Sequence, residues 1–385
     1  MKKFALILAS VLWCTVSAEE QKEIRITHGP WLCDMDSHGV TIMWVTNRPA
    51  LSWVEVAPDD GQHFYSNAHP RHYDAAHGRR RALETLHRVR VEGLEPGTDY
   101  MYRIFSQATD GWAYSDAVDC GTSGSAPGER RGAVSCTTWD PVGVRIKFLG
   151  VDDSAGNWDV VRKLGSEVNC AEYEFVVLNG NMLTTTENEA QIFDGWLDAC
   201  VDLFASEVPV VFVRGNHENR GAYADRLFDY FPHRSGHFYH TFCTAGTEFV
   251  VLDCGEDKPD TDIEYGGIAE FDPYREEEAR WLAGALNPAM RQRIVFLHIP
   301  LATLFWHGDL HLQETLLPIL NDAEVDLMLS GHTHRYAFRE ADDRVKFPIV
   351  INDNRSCMSV TVERGTIRIE IFGNVKKKHT FNTAE

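Results

Sequence analysis

Polar residues that can bind metal ions or move protons follow several apolar, β-branched runs of this chain. The clearest example is Val210–Val213, which leads through Arg214 into Gly215-Asn216-His217-Glu218. Comparable endings follow four other runs: Asp152-Asp153-Ser154, Asn179-Gly180-Asn181, His298-Ile299-Pro300 and Ser330-Gly331-His332-Thr333-His334. Imidazole nitrogens and Asn or Asp oxygens suit borderline divalent metals such as zinc, iron or manganese. Two such ions can activate water and hold the oxygens of an in-line phosphoryl displacement.

The elements that must position these residues alternate between strand and helix patterns from Val144 onward. The strand candidates are Val144–Val151, Phe175–Leu178, Pro209–Val213, Phe249–Asp253, Ile294–His298 and Val325–Leu329. One helix face runs from Phe193 to Phe204, with Thr186 and Glu189 as an expected capping box. Because the carboxyl ends of parallel strands meet at one edge of a sheet, the polar residues are expected to converge there.

Helix candidates Arg275–Leu286 and Leu312–Leu320 lie between the later strands, and Phe347–Ile371 is typical of antiparallel β-structure. Ahead of all of these, residues 24–122 carry strand patterns separated by Pro-Gly turns, which predicts a small β-sandwich. The segment Leu94–Arg103 (Leu-x-Pro-Gly-Thr-x-Tyr-x-Tyr-Arg) resembles the fibronectin type III pattern. Residues 123–143 are rich in Gly, Ser, Pro and Thr and are predicted to be a linker.

Each polar residue also has a structural explanation when it is taken alone. His298 precedes a proline and could be a hydrogen-bonded histidine at a strand end, while His332 and His334 could be surface residues of a turn. Their shared order and spacing favours a common site.

The combination of these strand-end residues resembles that of the calcineurin-like metallophosphoesterases. The motifs that carry the resemblance are Gly215-Asn216-His217-Glu218, the strand-end His298 and Gly331-His332-Thr333-His334. A β-sandwich ahead of the catalytic domain is similar to the arrangement in purple acid phosphatases. The resemblance implies a four-layer α/β/β/α fold over residues 144–376, two metal ions and a small phosphorylated substrate.

Residue roles follow from the same resemblance. Asn216, His298 and His332 would bind one ion, and Asp153 and His334 would bind the other. His217 would contact the phosphate and act as general acid toward the leaving group.

Two positions depart from the family pattern. Ala155 stands where the family has a histidine ligand, and Asn181 stands where it has the aspartate that bridges both ions. Asn181 remains a candidate metal ligand through its side-chain carbonyl. Two dications about 3.5 Å apart repel strongly, however, and neutral Asn181 offsets less of that repulsion than a carboxylate does. We therefore expect one or two divalent ions (zinc, iron or manganese) with weakened binding. The chain is expected to be either a phosphoesterase with an impaired or mononuclear site or an inactive protein that binds ligands on the same scaffold.

Composition limits the cellular setting and the partners. Residues 1–18 have a basic start, a short apolar run and a small-residue exit, which predicts a bacterial-type signal peptide and export to the periplasm or the extracellular space. The formal net charge of −20 disfavours nucleic acid as a partner, and no stable membrane insertion is expected. Cys200 and Cys254 lie in core-like patterns and are expected to be buried free thiols. The sequence leaves the disulfide pairing and the oligomeric state open.

Overall fold

The computed structural model describes residues 23–112, 117–125, 132–157, 159, 162–163, 167–290, 292–301 and 305–383. These residues belong to two compact units. The first comprises Met1–Pro30, Thr41–Val91 and Asp99–Cys136, and the second comprises Trp31–Val40, Glu92–Thr98 and Thr137–Glu385. The predicted signal peptide, residues 1–18, lies outside the described residues.

The N-terminal part of the chain is all β, as predicted. Its strands are β1 (Ile26–Cys33), β2 (Gly39–Pro58), β3 (Arg71–Tyr73), β4 (Ala75–Ala76), β5 (Arg79–Arg80), β6 (Glu84–Glu92), β7 (Asp99–Trp112), β8 (Val118–Ser125) and β9 (Val134–Thr137). Seven of them form one hydrogen-bonded sheet in the order β1-β2-β7-β8, with β3 and β6 beside β2 and with β9 beside β7. Hydrogen bonds connect these seven strands because the 20-residue strand β2 pairs with β1, β3, β6 and β7 along its length, and β4 and β5 form a separate two-stranded sheet.

The prediction of a linker over residues 123–143 is wrong where the chain forms strands. Strand β8 continues to Ser125, and β9 lies within the predicted linker and pairs with β7. The reason is visible in β9, where Val134 and Cys136 are buried and alternate with exposed neighbours. A period of two that buries one face is the pattern of a strand, and the surrounding Gly and Ser residues hide it in the sequence.

The second unit contains two six-stranded mixed sheets. Sheet 1 has the order β12-β11-β10-β19-β20-β21, and sheet 2 has the order β13-β14-β15-β16-β18-β17. The strands of sheet 1 are β10 (Arg145–Val151), β11 (Phe175–Asn179), β12 (Val210–Val213), β19 (Ser356–Glu363), β20 (Thr366–Gly373) and β21 (Lys377–Asn382). Those of sheet 2 are β13 (His240–Thr244), β14 (Thr247–Val251), β15 (Gln292–Phe296), β16 (Leu327–Ser330), β17 (Ala337–Arg339) and β18 (Ile349–Ile351).

Strands β10, β11 and β12 are mutually parallel in sheet 1, and β14, β15, β16 and β18 are mutually parallel in sheet 2. The late β region predicted as antiparallel, Phe347–Ile371, is so for β19 and β20, and β21 beyond it continues the antiparallel pairing. Strand β18 pairs antiparallel with β17, but the prediction is wrong for its other edge, which pairs parallel with β16. The short run Ile349–Ile351 is fully buried, and periodicity gives no strand direction for such a run.

Aromatic side chains join the two sheets face to face. Phe148 and Phe175 of sheet 1 meet Phe249 and Phe296 of sheet 2 edge to face, with ring centroids 5.3 to 5.6 Å apart. Alternation along the strands turns Phe249 and Phe296 to this interface and their neighbours to the opposite face. These aromatic contacts pack the two sheets against each other as the two inner layers of the fold.

Helices cover the two outer faces. They are α1 (residues 189–205, with π-helical turns at Phe193–Leu197 and Val201–Ala205), α2 (Leu227–Tyr230), α3 (Phe271–Ala285), α4 (His307–Thr315) and α5 (Leu317–Asp322). Trp196 of α1 stacks on Phe212 of sheet 1 at 5.9 Å. Leu282, Leu312 and Leu320 pack with the outer face of sheet 2 in one buried cluster. The predicted α/β/β/α layering is confirmed.

The predicted capping box at Thr186 is wrong. Asn188 caps α1 instead, and its side chain accepts the N–H of Gln191 at 3.2 Å. Asn and Thr are both good N-caps, so the choice depends on where the chain turns into the helix.

Cys200 and Cys254 are buried free thiols, as predicted. None of the helices in the described ranges has the length and apolarity needed to span a bilayer.

Candidate active site

The polar residues predicted from the sequence converge where parallel strands of both sheets end. Asp153 follows β10, Asn181 follows β11, Asn216 and His217 follow β12, His298 follows β15, and His332 and His334 follow β16. The ring of His298, from sheet 2, contacts the carbonyl of Asn179, from sheet 1. The carboxyl edges of the two sheets therefore meet at this site.

Asp153 and His298 form the buried centre of the site. Asp153 Oδ1 lies 3.6 Å from His298 Nε2 and 3.4 Å from His334 Nε2. Both Asp153 Oδ1 and His298 Nε2 are buried without a hydrogen-bond partner in the structure. The Nδ1–H of His298 donates to the carbonyl of Asn179 at 2.6 Å, which leaves Nε2 with its lone pair toward Asp153. Unpartnered buried atoms of this kind are costly unless something binds between them.

The pKa values of these groups follow from burial and from the mutual contacts. Burial acts to raise the pKa of Asp153, but the imidazoles of His298 and His334 outweigh it and the pKa is lowered overall. Burial lowers the pKa of His298, and it lowers that of His332 to about 3. The contact with Asp153 raises the pKa of the exposed His334. The site therefore keeps Asp153 ionised and two imidazoles neutral, which are the protonation states that metal ligands need.

Asn216 and His332 complete the donor set. Asn216 Oδ1 lies 3.2 Å from His332 Nδ1, and the backbone N–H of His332 donates to Asp153 Oδ2 at 2.7 Å. Within the residues that the structure describes, no three side chains drawn from His, Cys, Asp and Glu alone are arranged to hold a metal ion. The group that does form includes an amide oxygen and a single carboxylate. Its donors and its two unpartnered atoms fit a borderline divalent cation.

The two departures from the family pattern can be located in the structure. Asn181 Oδ1 accepts the backbone N–H of His217 at 3.0 Å, so its amide oxygen is engaged in tying two loops together. Ala155 is exposed and its methyl group offers no donor, although its N–H donates to the carbonyl of Asn181 at 3.0 Å. The loops therefore keep their course where the ligand side chains are missing.

His217 is half-buried and is held from one side. Its Nδ1–H donates to the carbonyl of Thr184 at 2.9 Å, so Nε2 is the ring nitrogen free for a ligand. A neutral His217 can accept a proton at Nε2, and a protonated one can donate from it. This is the geometry that a general acid toward a leaving group requires.

Glu218 stands in the predicted motif, but no role for it follows from the sequence. It is buried, and its carboxylate accepts the backbone N–H groups of Gly215 at 2.9 Å, Asn181 at 2.8 Å and Met182 at 2.7 Å. Burial raises the pKa of Glu218 to about 7 against the effect of these hydrogen bonds. The side chain fixes the loops after β11 and β12 to one another.

Arg220 and Glu256 are further site residues that the sequence did not single out as a pair. Arg220 Nε donates to Glu256 Oε1 at 2.6 Å, and Nη2 donates to Glu256 Oε2 at 2.8 Å. Arg220 Nη1 lies 3.5 and 3.4 Å from the two ring nitrogens of His217. Glu256 belongs to the loop Cys254–Asp260, and its ion pair with Arg220 places this loop beside His217. No spacing rule links residues 220 and 256, and only the fold brings them together.

A second loop near the site, Trp306–Asp309, forms the start of α4. Asp309 accepts the N–H of Trp306 at 3.1 Å, and the N–H of Gly308 donates to the carbonyl of Asp257 at 2.8 Å. This loop therefore contacts the site through the loop that carries Glu256.

A second buried carboxylate lies behind Asp153. Asp152 accepts a hydrogen bond from Asn179 Nδ2 at 2.7 Å and one from Asn352 Nδ2 at 2.9 Å. Burial, together with the neighbouring Asp153, raises the pKa of Asp152 to about 8. The structure thus separates two adjacent aspartates into a supporting residue and one that faces the histidines.

The backbone at the site is in a sparsely populated conformation. Asp153, Asn181, His332 and His334 all have left-handed φ values, between 53° and 68°. Non-glycine residues keep such values where the surrounding structure enforces them, which is common at functional sites. A Cβ on Gly180, at φ 85°, would lie 2.6 Å from the His298 ring, so this position requires glycine.

Comparisons with known proteins agree with the geometry. The family model described as calcineurin-like phosphoesterase matches residues 135–336, just over half of the chain. The model of the purple acid phosphatase N-terminal domain matches residues 31–118. Purple acid phosphatase 22 of Arabidopsis thaliana is 24% identical over 277 residues, which are 65% of this chain and 53% of that protein. The match thus spans about half the length of this relative.

Two solved structures share the fold. The purple acid phosphatase PPD1 from yellow lupin (Lupinus luteus) seeds superposes with a TM-score of 0.64 at 12% identity, over 92% of this chain and 74% of that one. A structure of PhoD superposes with a TM-score of 0.59 at 12% identity, over 93% and 90% of the two chains. The family implies a divalent metal cofactor. Because the family model matches just over half of the chain and includes the site, the chain belongs to the calcineurin-like phosphoesterase family.

Proposed function

We propose that this protein is an exported, metal-dependent phosphoesterase that hydrolyses a phosphate mono- or diester with a single divalent ion. The observation that carries the proposal is the pair of unpartnered buried atoms, Asp153 Oδ1 and His298 Nε2, beside His217. A second ion would need another carboxylate between the two charges, and Asn181 and Ala155 supply none.

In this proposal Asp153 and His298 would hold the ion together with the amide oxygen of Asn216, and His332 and His334 would complete the donor set. The ion supplies Lewis acidity toward a phosphate oxygen and toward water. His217 binds the phosphate through Nε2 and donates its proton to the departing oxygen, while Thr184 holds the opposite ring nitrogen. Glu218 keeps the loops of Asn181 and Asn216 at a fixed separation.

A second candidate function is a protein that binds phosphorylated ligands in the same site without turnover. The observations that favour it are the engaged amide of Asn181 and the exposed methyl of Ala155. Asn181 places a neutral amide where the family pattern has a carboxylate, and Ala155 places a methyl group where it has a ligand imidazole.

The deciding experiment measures metal content and hydrolysis on the same preparation. The mature protein is dialysed against trace zinc, manganese and iron, its metal content is determined by mass spectrometry, and p-nitrophenyl phosphate and bis(p-nitrophenyl) phosphate are offered as substrates. We expect about one ion per chain and hydrolysis of at least one ester. Both are expected to be lost in His298→Leu and to be retained in the control variant His63→Gln, which changes an exposed histidine. Bound metal without hydrolysis would favour the binding protein, and a chain that binds no metal would overturn the proposal.

Export is part of the proposal and is supported by the composition of residues 1–18 alone. N-terminal sequencing of protein recovered from the periplasm or the medium is expected to begin at Glu19. Recovery only from the cytoplasm with an intact Met1 end would contradict it.

A further inference from the structure

We propose that Arg220, held by Glu256, makes this site selective for phosphate monoester dianions over diesters. The inference rests on the proposed function, since it concerns the substrate class of the same site. It begins from the way in which the guanidinium is bound.

Two of the three nitrogens of the guanidinium are occupied. Nε and Nη2 form a bidentate ion pair with Glu256 at 2.6 and 2.8 Å. The Glu256 side chain is 1% exposed, whereas that of Arg220 is 34% exposed. Solvent and ligands therefore meet the cation, and the carboxylate lies behind it.

The third nitrogen, Nη1, lies beside the His217 ring. It lies almost equally far, 3.5 and 3.4 Å, from the two nitrogens of the His217 ring. A hydrogen bond to one ring nitrogen would bring it much closer to that atom than to the other. The N–H groups of Nη1 can therefore donate to an oxygen that is bound next to His217.

The position of Nη1 matches the free nitrogen of His217. Because Nδ1 of His217 donates to Thr184, its Nε2 faces the ligand, and Nη1 is 3.4 Å from that atom. The N–H groups of Nη1 can therefore donate to an oxygen of a phosphate group bound next to Nε2, as a guanidinium commonly does. Glu256 restricts the rotation of the side chain, so the arrangement exists before a ligand arrives.

Charge then decides which ester is preferred. The chain carries a net charge of −20, which repels anions at long range, and the site itself contains Asp153 as well as Glu256. A phosphate monoester at neutral pH carries close to two negative charges and three terminal oxygens, whereas a diester carries one charge and two such oxygens. A fixed guanidinium contact of this kind stabilises the monoester more.

The test compares Arg220→Gln with Arg280→Gln, which removes an exposed arginine paired with Glu276 on α3. Binding of inorganic phosphate and of dimethyl phosphate is measured by calorimetry on metal-loaded protein, and kcat/KM is measured for p-nitrophenyl phosphate and its bis ester. We expect Arg220→Gln to weaken phosphate binding and monoester turnover about 10- to 100-fold, the range for a hydrogen bond to a charged group. The diester values are expected to change less than about threefold, and Arg280→Gln is expected to match the wild type.

Glu256→Gln serves as the second variant, because it leaves the guanidinium in place without its charged support. It is expected to lower the monoester preference part of the way toward that of Arg220→Gln, with an unchanged fold by circular dichroism. Equal losses for monoester and diester in Arg220→Gln would overturn the inference and leave Arg220 as a structural residue. Failure of the wild type to bind phosphate would overturn it too. A wild type that binds phosphate through Arg220 but hydrolyses neither ester would sink the proposed function alone.

Discussion

The amide oxygen of Asn181 accepts the backbone N–H of His217 at 3.0 Å, so the residue at the expected bridging position ties the strand β11 loop to the strand β12 loop. An aspartate could keep this hydrogen bond and add a charge. The absence of a carboxylate at 181 is therefore a chemical change at the site and leaves its backbone in place.

Restoring both ligands should raise metal binding and activity. In Asn181→Asp with Ala155→His, the carboxylate offsets the repulsion between two ions and the imidazole adds a ligand. Position 155 has φ 50°, a conformation in which histidine is tolerated better than β-branched residues. We expect metal content to rise from about one to about two ions per chain, with faster hydrolysis of p-nitrophenyl phosphate. A folded double variant with neither gain would show that these positions are not what limits the site.

Removing the proton donor should affect substrates according to their leaving groups. His217→Gln is expected to lower turnover of an alkyl phosphate about 100- to 10,000-fold, the range for general acid catalysis. The loss with p-nitrophenyl phosphate should be much smaller, because p-nitrophenolate departs without protonation. The measurement is kcat for both esters in the variant and the wild type. Equal losses for the two would indicate that His217 binds the phosphate without protonating the leaving group.

Glu218→Gln should loosen the site without removing a ligand. The carboxylate accepts four backbone N–H groups, from Gly215, Asn181, Met182 and Leu183, whereas the glutamine amide turns a donor toward at least one of them. We expect a loss of about 1 to 3 kcal/mol in the free energy of unfolding and weaker metal binding. Urea unfolding and metal titration measure the two effects. An unchanged unfolding curve would show that the Glu218 carboxylate does not hold the two loops together.

The buried ion pair beside the β12 loop should matter far more for stability than an exposed one. Asp253 is fully buried, lies 2.7 Å from Arg214 Nη2 and accepts the Tyr274 hydroxyl at 2.9 Å. Asp253→Ala leaves Arg214 buried and unpaired, at an expected cost of about 3 to 5 kcal/mol.

The matched control for that variant is Asp229→Ala, which breaks the exposed Arg226–Asp229 pair. Its expected cost is below about 1 kcal/mol. Similar urea midpoints for the two variants would show that Asp253 is not the anchor that its contacts indicate.

Acid should destabilise the protein through His87. This side chain is 6% exposed, its Nε2 lies 2.8 Å from Thr46 Oγ1, and burial lowers its pKa to about 3. The folded pKa lies below the unfolded value near 6.5, so the unfolded chain takes up the proton first and stability falls as the pH drops from about 6.5 toward 3.

Between pH 7.5 and 5.0 the wild type is expected to lose about 2 kcal/mol more than His87→Gln, which does not titrate there. Denaturant unfolding at the two pH values gives the difference. The exposed-site variant His63→Gln should keep the wild-type pH dependence. The same pH dependence in His87→Gln would exclude His87 as its source.

Much of the catalytic fold was predictable because its strands are short, buried and apolar, and because helix periodicity separates them. Each predicted metal ligand also stands at a strand end, where local sequence carries the signal. The sequence did not predict contacts between segments that lie far apart in the chain. The Arg220–Glu256 pair depends on two loops meeting, and β9 was hidden by the Gly and Ser residues around it. The direction of β18 and the capping residue of α1 depend on the course of the chain in space.

Glu218 affects how such a site can change during evolution. Its carboxylate binds backbone N–H groups, and these are present whatever side chains the loops carry. Side chains at 155 and 181 can therefore be exchanged one at a time without collapse of the loops that present them. A scaffold of this kind lets ligand chemistry drift independently of folding, and it leaves open a return to a two-ion site by a few substitutions.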